Sequence, residues 1–392
     1  MASPHSGRLR WHSAAELLAV VRAEPGITRA AAAAHLGIGS GGASELISRM
    51  RTVRLIDETP APAQGRGRPT TVLGGHDEGP LVLAADLRAA DWRLALAGID
   101  GRPDVVARQE YSGDLDDALA RLAAAIGGVH RRAANRLTAV SVSVAGTVSD
   151  ARLVQFTSRG RRDVDLSVLT AKIPRRAQVS FLVGNDATLA GLAEARTGAA
   201  RAATTALYLM VAKGVGGALV VHGEPVSGAH GAAGEYGHIP FGDPAQLCPC
   251  GARGCWDLTV DGRALAHHLG ADEPADPVEY VHELATQRNA KTRRAFRKVA
   301  TALGRGTGAL VNLHDPEVVT LGGVAALLRA RAPEDFDAAY RDALMAFRKD
   351  APPPVRDAQH GEDGPLHGAA IRALDHVTTP DGLAAWAARQ YS

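Results

Sequence analysis

Gly234-Glu-Tyr-Gly-His-Ile-Pro240 and, seven residues later, Cys248-Pro-Cys-Gly-Ala-Arg-Gly-Cys-Trp-Asp257 form the stretch that decides the reading of this chain. All three cysteines, Cys248, Cys250 and Cys255, lie in it, and His238 stands ten residues before the first. Three thiolates and an imidazole are a full tetrahedral donor set for a structural zinc ion, because soft sulfur and borderline nitrogen suit it and four ligands close the site. Pro249 stiffens the Cys-x-Cys turn, and Gly251 and Gly254 let the backbone fold back until Cys255 meets the other sulfurs. An accidental cluster of small buried residues is the plainer alternative. A disulfide fits less well, since three is odd and no secretory segment is read at the front.

Working outward, 392 residues predict two or three domains, and a 46% hydrophobic content supplies sizeable cores. No apolar run reaches the ~18 residues of a membrane span, so the expectation is a soluble, cytoplasmic protein. The net charge of +2 is uninformative until it is divided: residues 1–75 hold nine Arg against five acids, so the positive charge sits at the front.

That front segment predicts three short helices. Ser13-Ala-Ala-Glu16 fits a capping box opening the first, Thr28 caps the second, and the third spans Ser40 to Val53 with Leu46, Ile47 and Met50 inward. Leu55-Ile56-Asp57-Glu58, a loop and the alternating run Gly65 to Leu73 complete the pattern of a winged helix-turn-helix. Its third helix would offer Ser40, Ser44, Glu45, Ser48 and Arg49 to a DNA major groove. Arg51 and Arg54 would touch the backbone, and Arg66 and Arg68 in the slender wing would lie in a narrow minor groove. A solvated helix face and a flexible linker are the competing readings, and Gly41-Gly42 weakens the start of the third helix.

Farther on, Leu81 to Leu87 reads as a buried strand, Trp92 to Gly101 as its hairpin partner, Leu115 to Ile126 as a helix, and Leu137 to Val144 as a strand ending at Ala145-Gly146. Val179 to Val183 is a strand running into Asn185-Asp186 and a helix from Thr188. Strand-helix alternation predicts an α/β fold with a mixed sheet. Toward the end, Ala295 to Leu313 and Asp335 to Phe347 read as long helices and Leu366 to His376 as another. The last, Asp381 to Tyr391, would set Leu383, Trp386 and Tyr391 either on the first lobe or against a partner subunit.

The order Gly-Glu-x-Gly-His then Cys-x-Cys-Gly-x-x-Gly-Cys resembles the signature of the ROK family, which contains bacterial sugar kinases and sugar-responsive repressors. The resemblance implies two ribonuclease-H-like, actin-like lobes of the sugar-kinase type behind the DNA-binding segment. The expected division is 1–75 for the head, 76–190 with 377–392 for the first lobe, and 191–376 for the second, which carries the zinc site and an oligomerisation surface. It also implies that Gly146, Asn185, Asp186, Glu235, His238 and Asp257 contact a sugar, with Asp257 standing where relatives commonly have Glu. From the residues alone, Asn185-Asp186 reads equally well as a helix cap. If one nitrogen of His238 holds zinc, the other is fixed as an N–H donor for a sugar hydroxyl.

Two departures matter. Gln155 to Arg162 is basic where relatives usually carry an Asn-Leu-x-x-Trp type of segment, which favours either an anionic sugar derivative or only a charged surface loop. ROK kinases carry Asp-x-Gly-Gly-Thr-Lys after the first strand; here Asp86-Leu-Arg-Ala-Ala-Asp91 fills the turn with side chains and reverses a charge, both of which oppose ATP. The second phosphate loop, Ala212 to Ala218, is partly kept, and Leu321-Gly322-Gly323 matches the adenosine-side glycines. Asp186 would be a kinase's general base, yet without a bound phosphoryl donor it transfers nothing, so no residue is expected to be catalytic. The favoured expectation is a sugar-responsive, non-enzymatic repressor acting on a double-stranded operator as a homodimer or homotetramer. A hexose kinase with an added DNA domain is the alternative.

Overall fold

The computed structural model describes residues 4–61, 71–112, 114–156 and 161–391. They form two compact units, residues 1–144, 165–184 and 369–392 in one, and 145–164 with 185–368 in the other.

The first unit begins with α1 (Pro4–Ala23), α2 (Arg29–His35) and α3 (Ser40–Thr52), then the antiparallel pair β1 (Ile56–Pro60) and β2 (Thr71–Gly75). α1 starts well before the capping box expected at Ser13, which lies inside the helix; Trp11, Ala14, Leu17, Leu18 and Val21 form one buried stripe that passes straight through it. Thr28 does cap α2, its Oγ1 accepting from the Ala31 N–H at 3.2 Å. α3 buries Ala43, Leu46, Ile47 and Met50 and leaves Ser40, Ser44, Glu45 and Ser48 exposed.

A five-stranded mixed sheet follows, ordered β10-β6-β3-β4-β5. It comprises β3 (Leu81–Leu87), β4 (Asp91–Ala97), β5 (Asp104–Glu110), β6 (Leu137–Val144) and, later in the chain, β10 (Ser180–Asn185), with α4 (Leu115–Ala133) between β5 and β6. β3 and β6 are parallel and apolar but for Asp86, Thr138, Ser141 and Ser143, as expected of strands covered on both faces.

The second unit opens with a small sheet, β7 (Thr147–Ser149), β8 (Arg152–Phe156) and β9 (Arg161–Asp165). Its main sheet, β13-β12-β11-β14-β15, is built from β11 (Thr205–Ala212), β12 (Gly214–Val221), β13 (Glu224–Pro225), β14 (Val318–Gly323) and β15 (Val355–Asp357). Around it lie α5 (Asp186–Thr197), α6 (Gly262–Leu269), α7 (Pro277–Thr286), α8 (Ala290–His314), α9 (Ala325–Arg331), α10 (Pro333–Ala343) and α11 (Ala346–Lys349). The helix expected over Asp335 to Phe347 is broken at Leu344. There the Asn312 side chain donates to the Ala343 carbonyl at 2.8 Å and accepts from the Met345 N–H at 3.1 Å, replacing the helical bonds lost at the break.

The chain ends with α12 (Gly364–Val377) and α13 (Pro380–Arg389). α13 packs on α1, burying Leu383 and Trp386 in the same core as Trp11, Leu17, Ile47 and Met50, while Tyr391 stays 75% exposed. The Trp386 indole N–H donates to the carbonyl of Val53, the residue capping α3, at 2.7 Å. Arg389 on the same helix reaches the Leu137 and Gln178 carbonyls. Leu383 and Trp386 therefore pack inside the chain, and the last helix ties the N-terminal helices to the first sheet. Trp386→Phe keeps an aromatic ring but strands the Val53 carbonyl, a loss of about 1–3 kcal/mol. A lower denaturation midpoint in urea with an unchanged slope is the expected result.

Candidate metal centre and its polar neighbours

Residues 234–257 contain little regular structure and are held by crossed backbone hydrogen bonds. Trp256 N–H donates to the Ile239 carbonyl, Gly242 N–H to Gly254, and Cys248 N–H to Ala252. Trp256 is 1% exposed and its indole N–H reaches the Ala302 carbonyl of α8 at 3.1 Å, which pins the loop to the core of the second unit.

This folding brings the ligand atoms of His238, Cys248, Cys250 and Cys255 within 4.8 Å of one another. Cys248 Sγ lies 3.8 Å from His238 Nδ1, and Cys250 Sγ 3.7 Å from Cys255 Sγ. A tetrahedral ion with bonds of roughly 2.3 Å to sulfur separates its ligands by about 3.8 Å, so the donor set and its spacing fit a four-coordinate metal. Burial pushes the Cys248 thiol up and the Cys255 thiol up to about 12. Burial thus favours protonated thiols, and only a cation at their centre makes three thiolates favourable there.

His238 turns its other nitrogen, Nε2, toward Glu235 Oε2 at 3.8 Å. Glu235 Oε1 accepts from the Thr147 hydroxyl at 2.7 Å, and Thr147 follows Gly146, whose carbonyl accepts from the Asn185 amide at 3.1 Å. Asn185 is the N-cap of α5, its Oδ1 accepting from the Thr188 N–H at 2.9 Å, and its amide also donates to Asp186 Oδ1. The cap that the residues alone allowed is present, and both ends of the Asn185 amide have protein partners. A continuous row thus runs from Asp186 through Asn185, Gly146, Thr147 and Glu235 to His238 and the sulfurs. Thr147 carried no signal in the sequence, because only the fold sets it against Glu235, 88 residues away.

Asp257 lies beside the same row. Burial raises its pKa above the usual carboxylate range, opposed most by the Val215 N–H, which donates to Oδ1 at 2.6 Å, and then by the charge of His238. Its carboxylate fills the space over the partly kept phosphate loop: a Cβ at Gly214, where φ is +108°, would stand 2.6 Å from Asp257 Oδ2. The adenosine-side glycine is also explained by protein neighbours, since a Cβ at Gly322 would meet the Tyr208 hydroxyl at 2.0 Å.

The turn from Asp86 to Asp91 is occupied by ion pairs. Asp86, 1% exposed, accepts from Arg93 at 3.0 Å, and Arg88 donates to Asp91 at 2.7 Å, while Arg108 pairs with Asp91 at 2.9 Å. The Tyr111 hydroxyl closes the turn on the Arg88 carbonyl. Burial raises the Asp86 pKa, and the Arg93 hydrogen bond is the largest influence holding it down.

In the N-terminal segment two of the expected backbone-contacting arginines are engaged within the chain. Arg51 stands 3.3 Å from Asp57 and 3.6 Å from Glu58, and Arg54 pairs with Glu78 at 2.7 Å. Arg49 is half-buried, and its Nε has no hydrogen-bond partner among the described residues. Arg66 and Arg68 lie outside the described residues, as do residues 157–160 of the basic segment; its Arg161 and Arg162 are exposed on β9.

The sequence profile of the ROK family matches residues 91–376. This chain belongs to the ROK family. The ROK chain is 28% identical over 227 residues to the N-acetyl-D-glucosamine kinase of Pectobacterium carotovorum subsp. carotovorum (strain PC1), covering 53% of itself and 70% of that enzyme. It is 26% identical over 186 residues to the xylose repressor of Bacillus subtilis (strain 168), covering 47% of itself and 48% of that protein, so it spans about half the length of that repressor. Among solved structures, a ROK family transcriptional regulator described as a homolog of the E. coli MLC protein superposes with a TM-score of 0.76 at 21% identity, over 97% of this chain and 99% of that one. The ROK hexokinase from Thermus thermophilus superposes with 0.58 at 28% identity, over 97% of its own length but 74% of this chain. The α/β fold of sugar kinases with helices in front is thereby shown. Among the described residues, no helix is long and apolar enough to cross a membrane.

Gly237 tests the packing of this centre. A Cβ there would stand 2.0 Å from Asp257 Oδ1 and 2.5 Å from the Val215 carbonyl, both held in place. Gly237→Ala is expected to destabilise the chain by about 1–3 kcal/mol, the usual cost of overpacking, read as a lower melting temperature in calorimetry.

Proposed function

We propose that this chain is a sugar-responsive transcriptional regulator, acting in the cytoplasm as a repressor, in which the family's phosphoryl-transfer function is lost. The observation that carries this reading is the ion-pair lattice of Asp86, Arg88, Asp91, Arg93 and Arg108. A kinase needs glycine there, so that backbone N–H groups approach phosphates, and a cation to neutralise them. Here each arginine already holds a carboxylate. Of the glycines that survive, Gly214 is accounted for by Asp257 and Gly322 by Tyr208.

In this reading residues 1–75 are the DNA-reading head, whose α3 offers Ser40, Ser44, Glu45 and Ser48 to an operator, with Arg49, Arg66 and Arg68 adding positive charge. Arg51 and Arg54 serve DNA only if they leave their carboxylates. Residues 76–190 with 377–392 and residues 191–376 are the two lobes. The effector is a sugar or sugar derivative met by Gly146, Asn185, Asp186, Glu235, His238 and Asp257. The metal is a structural zinc held by His238, Cys248, Cys250 and Cys255; with Nδ1 on the metal side, His238 keeps a proton on Nε2, which Glu235 and a ligand hydroxyl can share. A closed four-ligand site has no open position, so zinc supplies rigidity and no catalysis. Sugar that favours one arrangement of a homodimer or homotetramer shifts the placement of two heads, and operator affinity changes reciprocally.

The competing reading, a hexose kinase with an added head, draws on the kinase relatives. The two separate in one assay: the purified chain is expected to form no ADP from ATP with a panel of hexoses, whereas robust turnover with any sugar overturns the regulator reading. Elemental analysis is expected to give one zinc per chain, and Cys250→Ser to lower zinc content and sugar response together. Arg66→Ala with Arg68→Ala is expected to weaken operator binding and to flatten its dependence on log salt by up to about two units.

A further inference from the structure

α8 turns one face into the core through Ala295, Phe296, Val299 and Leu303. Its opposite face lines an open surface depression of about 600 Å³, roomy enough for a small metabolite. Four cations face this space, Arg294, Arg297, Lys298 and Arg305, against a single carboxylate, Asp335 of α10. Residues 294, 298, 301 and 305 recur at the spacing of one helical stripe, so the charges are stacked on one side by geometry.

Asp335 is already engaged by Arg297 at 2.9 Å. Among the described residues no ion pair or hydrogen bond engages the side chains of Arg294, Lys298 or Arg305. The field is felt across the depression, where burial first and then the charges of Lys298 and His267 lower the pKa of His268 on α6. Three uncompensated cations on a concave wall concentrate anions and repel one another until one arrives. Thr259 and Thr301 add hydroxyls at the same wall, suited to a ligand that carries hydroxyl as well as phosphoryl oxygens.

We propose that the depression over α8 is a second ligand site, taking a small phosphate-bearing metabolite whose phosphoryl group is gripped by Arg294, Lys298 and Arg305. Arginine is the side chain best shaped for such a group, because its planar fork binds two phosphoryl oxygens at once. The site shares no residue with the row from Asp186 to His238, so it stands whether or not that row binds sugar.

The test is calorimetric titration of the full chain with sodium pyrophosphate, glucose 6-phosphate and glucose, at ionic strength held constant with KCl. Saturable binding of pyrophosphate and glucose 6-phosphate at one per chain is expected, with glucose silent at this site. Arg294→Ala with Arg305→Ala, both exposed positions, should leave the melting temperature in place and weaken both phosphates by about tenfold or more. Lys349→Ala, which removes an exposed cation outside both sites, should leave both affinities unchanged. Absence of saturable binding, affinities unaltered in the double variant, or a DNA duplex that binds through these arginines without competition from pyrophosphate would each overturn the proposal.

Discussion

Bringing one imidazole and three thiols within 4.8 Å is the constraint on which the second unit's chemistry depends. The loop that does this has almost no regular structure of its own, so its shape rests on crossed backbone hydrogen bonds and on the Trp256 indole driven into α8. Fixing the Nδ1 side of His238 among the sulfurs leaves Nε2 only one direction, toward Glu235. Glu235 takes the Thr147 hydroxyl, and through Gly146 the row ends at the cap of α5. Each polar group takes its orientation from the one before, and the cluster of His238 with the three cysteines is the end that is anchored.

The first unit shows the opposite device, a site filled rather than built. Asp86 is buried in an apolar strand, where an unpaired carboxylate would be costly, and Arg93 and Arg88 compensate it. Asp91 in turn holds Arg88 and Arg108. Each buried carboxylate thus has two arginine partners, and only the loss of both would leave it uncompensated. A nucleotide would have to break this lattice to enter, so the proposed loss of phosphoryl transfer rests on packing as much as on absent glycines.

The N-terminal helices are not a loosely tethered addition. α13 places Leu383 and Trp386 in their core, and the Trp386 indole holds the carbonyl of Val53 where α3 ends. The same helix reaches the first sheet through Arg389. A single ten-residue helix thereby sets the end of the proposed DNA-reading helix relative to the sheet.

Much of this was legible in the residues. Leu137 to Val144 and Leu81 to Leu87 are strands with the expected bounds, since short apolar runs between turn residues have few other uses. The Cys-x-Cys-x4-Cys spacing with His238 determined a four-donor cluster, because local backbone reach alone brings three of its members together. The start of α1 misled, because a good capping sequence at Ser13 was outweighed by a longer buried stripe. The break at Leu344 was unreadable, because the Asn312 amide that satisfies it comes from another helix. Thr147 on Glu235, Trp386 on Val53, the mutual neutralisation at Asp86 to Asp91 and the uncompensated cations over α8 were likewise decided only by the tertiary structure. Periodicity and spacing fix what a segment does with its own neighbours. Which charges are cancelled and which are left over depends on how strands and helices are set against one another. The partners are three residues apart in Arg88 and Asp91 and 38 apart in Arg297 and Asp335, and in both cases only the folded chain decides that they meet.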